Sequence, residues 1–289
     1  YLEQGTDKEL SPSDTRYGHA GDVVTANAKI DIEGYHLVDP TQASREATLV
    51  EGETPEIVFY YEKDAANYQV NYFLNGTEQK VADSETLSAP WGSEVAASNL
   101  AKAIDGYTVV PGQTATATVE LDGSTVINVY YYQNVTLTAN SATREYMGES
   151  QCVAGYTCDV ADAEFAGITL LGGKGTDAGN YPYAFAAGAV GTVSADGKYI
   201  VAKANDGKLV ISPNSQQVVV KIKGNTGGEK YDGTEHSVEG YAVSYVIGGA
   251  ASTDAPAGFD AGDVSFAGAA KATGTDAGSY PMGLKAGDF

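Results

Sequence analysis

Residues 68–77 read Tyr68-Gln69-Val70-Asn71-Tyr72-Phe73-Leu74-Asn75-Gly76-Thr77, an aromatic and β-branched run that stops at Asn-Gly. A two-residue hairpin turn needs positive φ, which Asn and Gly adopt at little cost, so residues 70–74 and 79–84 are expected to pair. Ser93 is placed to cap a helix running to about residue 104, with Glu94 in its first turn. Ala96, Leu100, Ala103 and Ile104 fall at helical spacing and would face the sheet. Residues 116–121 and 125–132 then suggest a second hairpin around Asp122-Gly123. Strand, strand, helix, strand, strand is an α+β order of β-grasp type.

This block is a repeat. Gly34-Tyr35-His36-Leu37-Val38 corresponds to Gly106-Tyr107-Thr108-Val109-Val110, and Val58-Phe59-Tyr60-Tyr61 to Val129-Tyr130-Tyr131-Tyr132. Tyr1-Leu2-Glu3-Gln4-Gly5-Thr6 corresponds to residues 72–77, so the first copy begins partway through its opening strand. Its helix, near residues 22–32, is expected to be weaker because Val23, Val24 and Thr25 are poor helix formers. A second pair follows. Gly175-Thr176-Asp177-Ala178-Gly179-Asn180-Tyr181-Pro182 returns as Gly274-Thr275-Asp276-Ala277-Gly278-Ser279-Tyr280-Pro281, and Gly155-Tyr156 as Gly240-Tyr241. The changed offset places an insertion near residues 248–256, which reads as a longer loop. Asn205-Asp206-Gly207 reads as a hairpin turn between residues 198–201 and 208–211. The fourth copy stops at Phe289 without an equivalent and reads as incomplete.

The expected fold is therefore mainly β with some α+β. Four small modules stand in tandem, at 1–64, 65–133, 134–213 and 214–289, the first two β-grasp-like and the last two mostly β and Gly-rich. Short junctions favour an elongated, stiff array. The whole chain has 289 residues, with 20 Tyr and 35 Gly, and a net charge of −21. Such an acidic chain repels phosphate backbones and anionic headgroups, so nucleic acid is not the expected partner. No apolar run is long enough to insert in a membrane. No nucleophile elbow or paired acid stands out, and no cofactor is expected. Gly173-Lys174-Gly175-Thr176-Asp177-Ala178 matches a dinucleotide fingerprint on paper, but no βαβ unit surrounds it. An intramolecular Lys–Asn crosslink needs a buried acid beside it, and the sequence names no such triple.

The opening strand with its Gly-Thr turn, the central Gly-Tyr and the closing Val-Phe/Tyr-Tyr-Tyr strand resemble MucBP-type repeats of Gram-positive surface proteins. The Tyr-Met/Asp-Gly marks, Gly-Thr-Asp-Ala-Gly-x-Tyr and Asp-Gly-Lys-Leu-Val-Ile-Ser-Pro resemble MBG-type repeats of similar proteins. The resemblance implies a wall-anchored adhesin, extracellular and monomeric, that contacts a host glycoprotein or glycan. A purely structural stalk, or the accessory region of a surface enzyme, are the alternatives.

Individual residues carry further expectations. Cys152 and Cys158 are the only cysteines; Ser237 and Val243 stand at both matching sites of the sister repeat, so the two are expected to bond each other. Such a bond would indicate an extracytoplasmic location. Tyr60, Tyr131 and Trp91 are candidate aromatic ligand contacts, set against packing of alternate strand residues into the core. Asp177, Asp276 and the Asp260-Ala261-Gly262-Asp263 stretch are candidate calcium ligands, set against the ordinary use of Asp in turns.

Overall fold

The structure, a computed structural model, describes residues 1–259 and 261–289. It is an array of small β-sheets; the helical elements among the described residues are short 3-10 turns. Two compact units emerge. The first comprises Tyr1–Val135, Val160–Ala166 and Val190–Ala202, and the second Thr136–Asp159, Gly167–Ala189 and Lys203–Phe289.

In the first unit, Ala65–Leu74 runs antiparallel to Lys80–Pro90 through the Asn75-Gly76 turn, where Gly76 has φ 69°. It runs parallel to residues 126–131, from Val126 opposite Gln69 to Tyr131 opposite Leu74. Tyr107–Val109 flanks that closing strand antiparallel. The first and last strands are thus a central parallel pair, as a β-grasp sheet requires. Alternation decides which side chains enter. Ala66, Tyr68, Val70 and Tyr72 on the opening strand meet Ile127, Val129 and Tyr131 on the closing one, and all are buried.

The preceding repeat uses the same plan on fewer residues. Leu2–Glu3 runs parallel to Tyr60–Lys63, and Tyr35–Leu37 lies antiparallel on its other edge. Tyr35, Phe59 and Tyr61 form its small core. The chain then continues through Asp64 directly into Ala65–Leu74.

Neither expected helix forms. Glu94–Ala96 is a strand paired with Thr116–Thr118, followed only by the 3-10 turn Ala97–Asn99. The reason lies in the backbone bonds, which go across rather than along the segment. Ala97 N–H donates to Ala115 C=O, and Val119 N–H donates to Ser93 C=O, each at 2.9 Å. The Ser93 hydroxyl donates to Pro90 C=O instead of capping. Ala97 is buried and Leu100 and Ile104 pack on the core, so the apolar spacing marked burial without marking helix. Residues 22–32 contain the strand Val23–Asn27, paired with Ser44–Thr48, in keeping with its β-branched residues. The expected second hairpin is also not a ladder, because Thr116–Thr118 pairs with Glu94–Ala96. The Thr125 hydroxyl bridges the two arms, donating to Thr118 C=O and accepting from Glu120 N–H.

In the second unit a sheet runs in the order Ala142–Glu145, Gly207–Ser212, Gly179–Phe185, Leu170–Gly172. The turn expected at Asn205-Asp206-Gly207 is not a hairpin: Gly207–Ser212 pairs with Gly179–Phe185 and Ala142–Glu145 rather than with the strand before it. The Asp206 carboxylate accepts Phe185 N–H at 2.9 Å. Gly207 is needed for close approach, since a Cβ there would lie 2.2 Å from Asn140 O. The insertion expected as a loop is a tight hairpin. Tyr241–Ile247 turns at Gly248-Gly249 into Ala250–Ser252, with Ile247 opposite Ala250. Val218–Gly224 flanks it.

Candidate functional site

The closing strands show which aromatics are structural. Tyr61 is 1% exposed; its hydroxyl accepts Lys29 N–H and donates to Lys29 C=O, both at 2.9 Å. Tyr131 is 1% exposed and does the same to Lys102, again at 2.9 Å both ways. The structural equivalent of Tyr131 is therefore Tyr61, not Tyr60. Tyr131 cannot contact a ligand, because its ring is enclosed and its hydroxyl is used internally. Around it, the Tyr72 hydroxyl donates to Glu85, whose carboxylate also pairs with Lys102. The Lys102 and Tyr72 hydrogen bonds hold the Glu85 carboxyl below its usual range. Burial, with Glu85 as acceptor, pushes the Tyr72 phenol far up.

Trp91 follows the Lys80–Pro90 strand of the second repeat but packs on the first. Its ring meets Tyr35 edge-on at 5.8 Å and lies over Gly34, where a Cβ would come within 2.1 Å of it. Trp91 N–H donates to Asp64 C=O, and Asp64 N–H donates to Gly34 C=O, each at 2.8 Å. Beside this joint, His36 bonds Asp64 at 2.8 Å and Glu62 at 3.0 Å. These carboxylates, Asp64 first, hold the imidazole above its ordinary pKa.

Tyr60 points the other way. It is 47% exposed and lines a groove of about 730 Å³ in the first repeat, with Gln4, Asp7, Asp39, Gln42 and Arg45. The Asp39 carboxylate accepts Thr41 N–H at 2.9 Å and the Thr41 hydroxyl at 2.6 Å, which fixes the 3-10 turn Pro40–Gln42 along one wall. Arg45 Nη1 donates to Val58 C=O at 2.7 Å, and both residues line the groove. An exposed phenol ring beside a carboxamide, carboxylates and a guanidinium offers an apolar face and hydroxyl-binding groups together. Of this set the sequence pointed to Tyr60 alone; the residue spacing gives no signal for the others, which the turn after Val38 gathers.

The remaining candidates have structural duties. Tyr181 Oη donates to Asp177 C=O at 2.8 Å, and Tyr280 Oη to Asp276 C=O at 3.0 Å. Each ring covers a glycine, Gly175 or Gly274, where a Cβ would lie 2.1 Å from the ring. The repeated Gly-Thr-Asp-Ala-Gly-x-Tyr motif is thus a tyrosine-closed turn. Among the described residues no three metal-ligating side chains converge, and Asp260 lies outside the described residues. Cys152 and Cys158 are not bonded to each other. Cys152 lies opposite Lys174, whereas Cys158 lies opposite Leu137, so the two belong to different sheets. Gly155, at φ 81° with its N–H held by the Tyr183 hydroxyl, carries the chain between those sheets instead of folding it back. The compartment argument that rested on a disulfide loses its support.

The chain is thus an array of small β-sheets, and its first repeat carries a solvent-facing groove. Comparison with known families finds the MucBP domain at residues 1–62 and again at 69–133. MucBP is a binding and adhesion repeat family of extracellular surface proteins, not an enzyme family. No curated protein matches the chain. Among the described residues no helix is long and apolar enough to cross a membrane.

Proposed function

We propose that this chain is the non-catalytic repeat region of a cell-surface adhesin of a Gram-positive bacterium, and that it binds host mucin glycans through the first MucBP repeat. The observation that carries the reading is the groove, where Tyr60 stands exposed among Gln4, Asp39, Gln42 and Arg45 in a repeat of the MucBP family. A pyranose ring has an apolar face that stacks on a phenol and hydroxyls that bond carboxamides, carboxylates and guanidinium. The MBG-like half belongs to the same surface protein in this reading.

A second reading, a purely structural spacer, draws support from the joint at Asp64 and Trp91, which fixes one repeat against the next. The test is binding of the chain to immobilised mucin and to the same mucin stripped of glycans. Glycan-dependent binding weakened by Tyr60→Ala and Arg45→Ala supports the adhesin. Equal signals on both surfaces, or none, leave the spacer.

A further inference from the structure

The two MucBP repeats differ in the hydrogen bonding beside the closing strand. In the second repeat, Val110 N–H donates to Tyr130 C=O at 3.0 Å, but the reverse bond of that antiparallel pair is not made. The side-chain carboxamide of Gln113 is wedged into the opening. Its Oε1 accepts Tyr130 N–H at 2.9 Å, and its Nε2 donates to Val110 C=O and to Tyr130 C=O, both at 3.1 Å.

The first repeat has the same opening without the plug. Val38 N–H donates to Tyr60 C=O at 3.0 Å, the counterpart of the Val110 bond. Tyr60 N–H and Val38 C=O have no hydrogen-bond partner among the described residues. Four positions separate Val38 from Gln42, against three between Val110 and Gln113. The extra residue makes room for the 3-10 turn Pro40–Gln42, and the Gln42 side chain stays exposed outside the slot. Val38 and Tyr60, which carry the two open groups, both line the groove.

We infer that this slot is the subsite for the acetamido group of an N-acetylated hexosamine, an inference that rests on the glycan-binding reading above. An acetamido group is a planar amide like the Gln113 carboxamide. Its C=O accepts Tyr60 N–H, its N–H donates to Val38 C=O, and its sugar ring lies toward the exposed Tyr60 phenol. An added peptide strand is the competing occupant of a sheet edge, and it needs a row of open backbone groups. Here the row is interrupted, because Arg45 takes Val58 C=O, the next acceptor on that edge.

The experiment is a ¹H–¹⁵N titration of the whole chain with N-acetylgalactosamine, with galactose, and with a short Gly-rich peptide. The expected result is a saturable shift of the Tyr60 amide with the acetamido sugar, at an affinity at least about tenfold above that for galactose, as two added hydrogen bonds confer. Deleting Thr41 restores the shorter spacing of the second repeat and should abolish the Tyr60 response. Gln113→Ala unplugs the second repeat and should create a matching response at Tyr130, which keeps the test decisive if the deletion does not fold. No Tyr60 response, an equal response to galactose, or a response to the peptide alone overturns the inference. Glycan-dependent mucin binding with a silent Tyr60 amide overturns the slot and leaves the adhesin reading standing; loss of both removes both.

Discussion

Replacing Tyr131 by Phe should destabilise the first unit while leaving its shape intact. The substitution removes one oxygen from a site 1% exposed and takes with it two hydrogen bonds, to Lys102 N–H and Lys102 C=O. Each such bond is worth about 1 kcal/mol net, so the loss should be about 2 kcal/mol. Tyr61→Phe removes the same pair from Lys29 and should cost a similar amount. The two sites lie in separate hydrophobic clusters, so the double variant should be close to additive. Trp91 is the sole tryptophan and packs on Tyr35, so its fluorescence during urea unfolding is the assay. A denaturant slope of about 2 kcal/mol/M turns the loss into a midpoint lowered by about 1 M. Tyr60→Phe is the control and should shift the midpoint by less than about 0.3 M, since its exposed hydroxyl makes no bond in the groove wall. If Tyr131→Phe costs under about 0.5 kcal/mol, or Tyr60→Phe costs as much, the assignment of inside and outside on the closing strand is wrong.

Other contacts give further expected outcomes. Gly34→Ala places a Cβ 2.1 Å from the Trp91 ring at a residue with φ 75°, so it should lose at least about 2 kcal/mol and red-shift Trp91 emission; an unchanged spectrum would argue against the joint. Gly175→Ala meets the Tyr181 ring at 2.1 Å and should lower the melting temperature of the second unit, whereas Gly179→Ala, with its nearest ring atom at 3.7 Å, should do less. For pH, His36 titrates above its ordinary 6.5, so its contribution is complete below 6.5 and fades as pH rises through the folded value. Asp232, held down to about 2 chiefly by Thr234, contributes above 3.8 and loses its contribution as pH falls to about 2. NMR titration of both groups checks the two directions.

Repetition made much of the fold legible. The Asn75-Gly76 hairpin and the mainly β array of small modules follow from motifs that recur. The register of the closing strand did not follow. Three tyrosines in a row allow two alignments, and pairing Tyr60 with Tyr131 by sequence offset reverses the faces, since strand side chains alternate. Burial and the hydroxyl bonds to Lys29 and Lys102 show that Tyr61 and Tyr131 correspond. The missing helix at residues 93–104 has a related cause: apolar spacing reports which side chains are covered, whereas the backbone partners at residues 115–119 decide the element. The groove was illegible apart from Tyr60 because its walls come from three segments and depend on one added residue after Val38. The cysteines misled because five intervening residues read as a turn, when Gly155 instead transfers the chain to another sheet.

Amide-shift mapping of the chain with mucin-derived O-glycans decides whether the first MucBP repeat holds the glycan as proposed. Perturbations should concentrate at residues 4–7, 37–45 and 58–60, the segments that wall the groove. Perturbations confined to the second unit, or absent at saturating glycan, would contradict it.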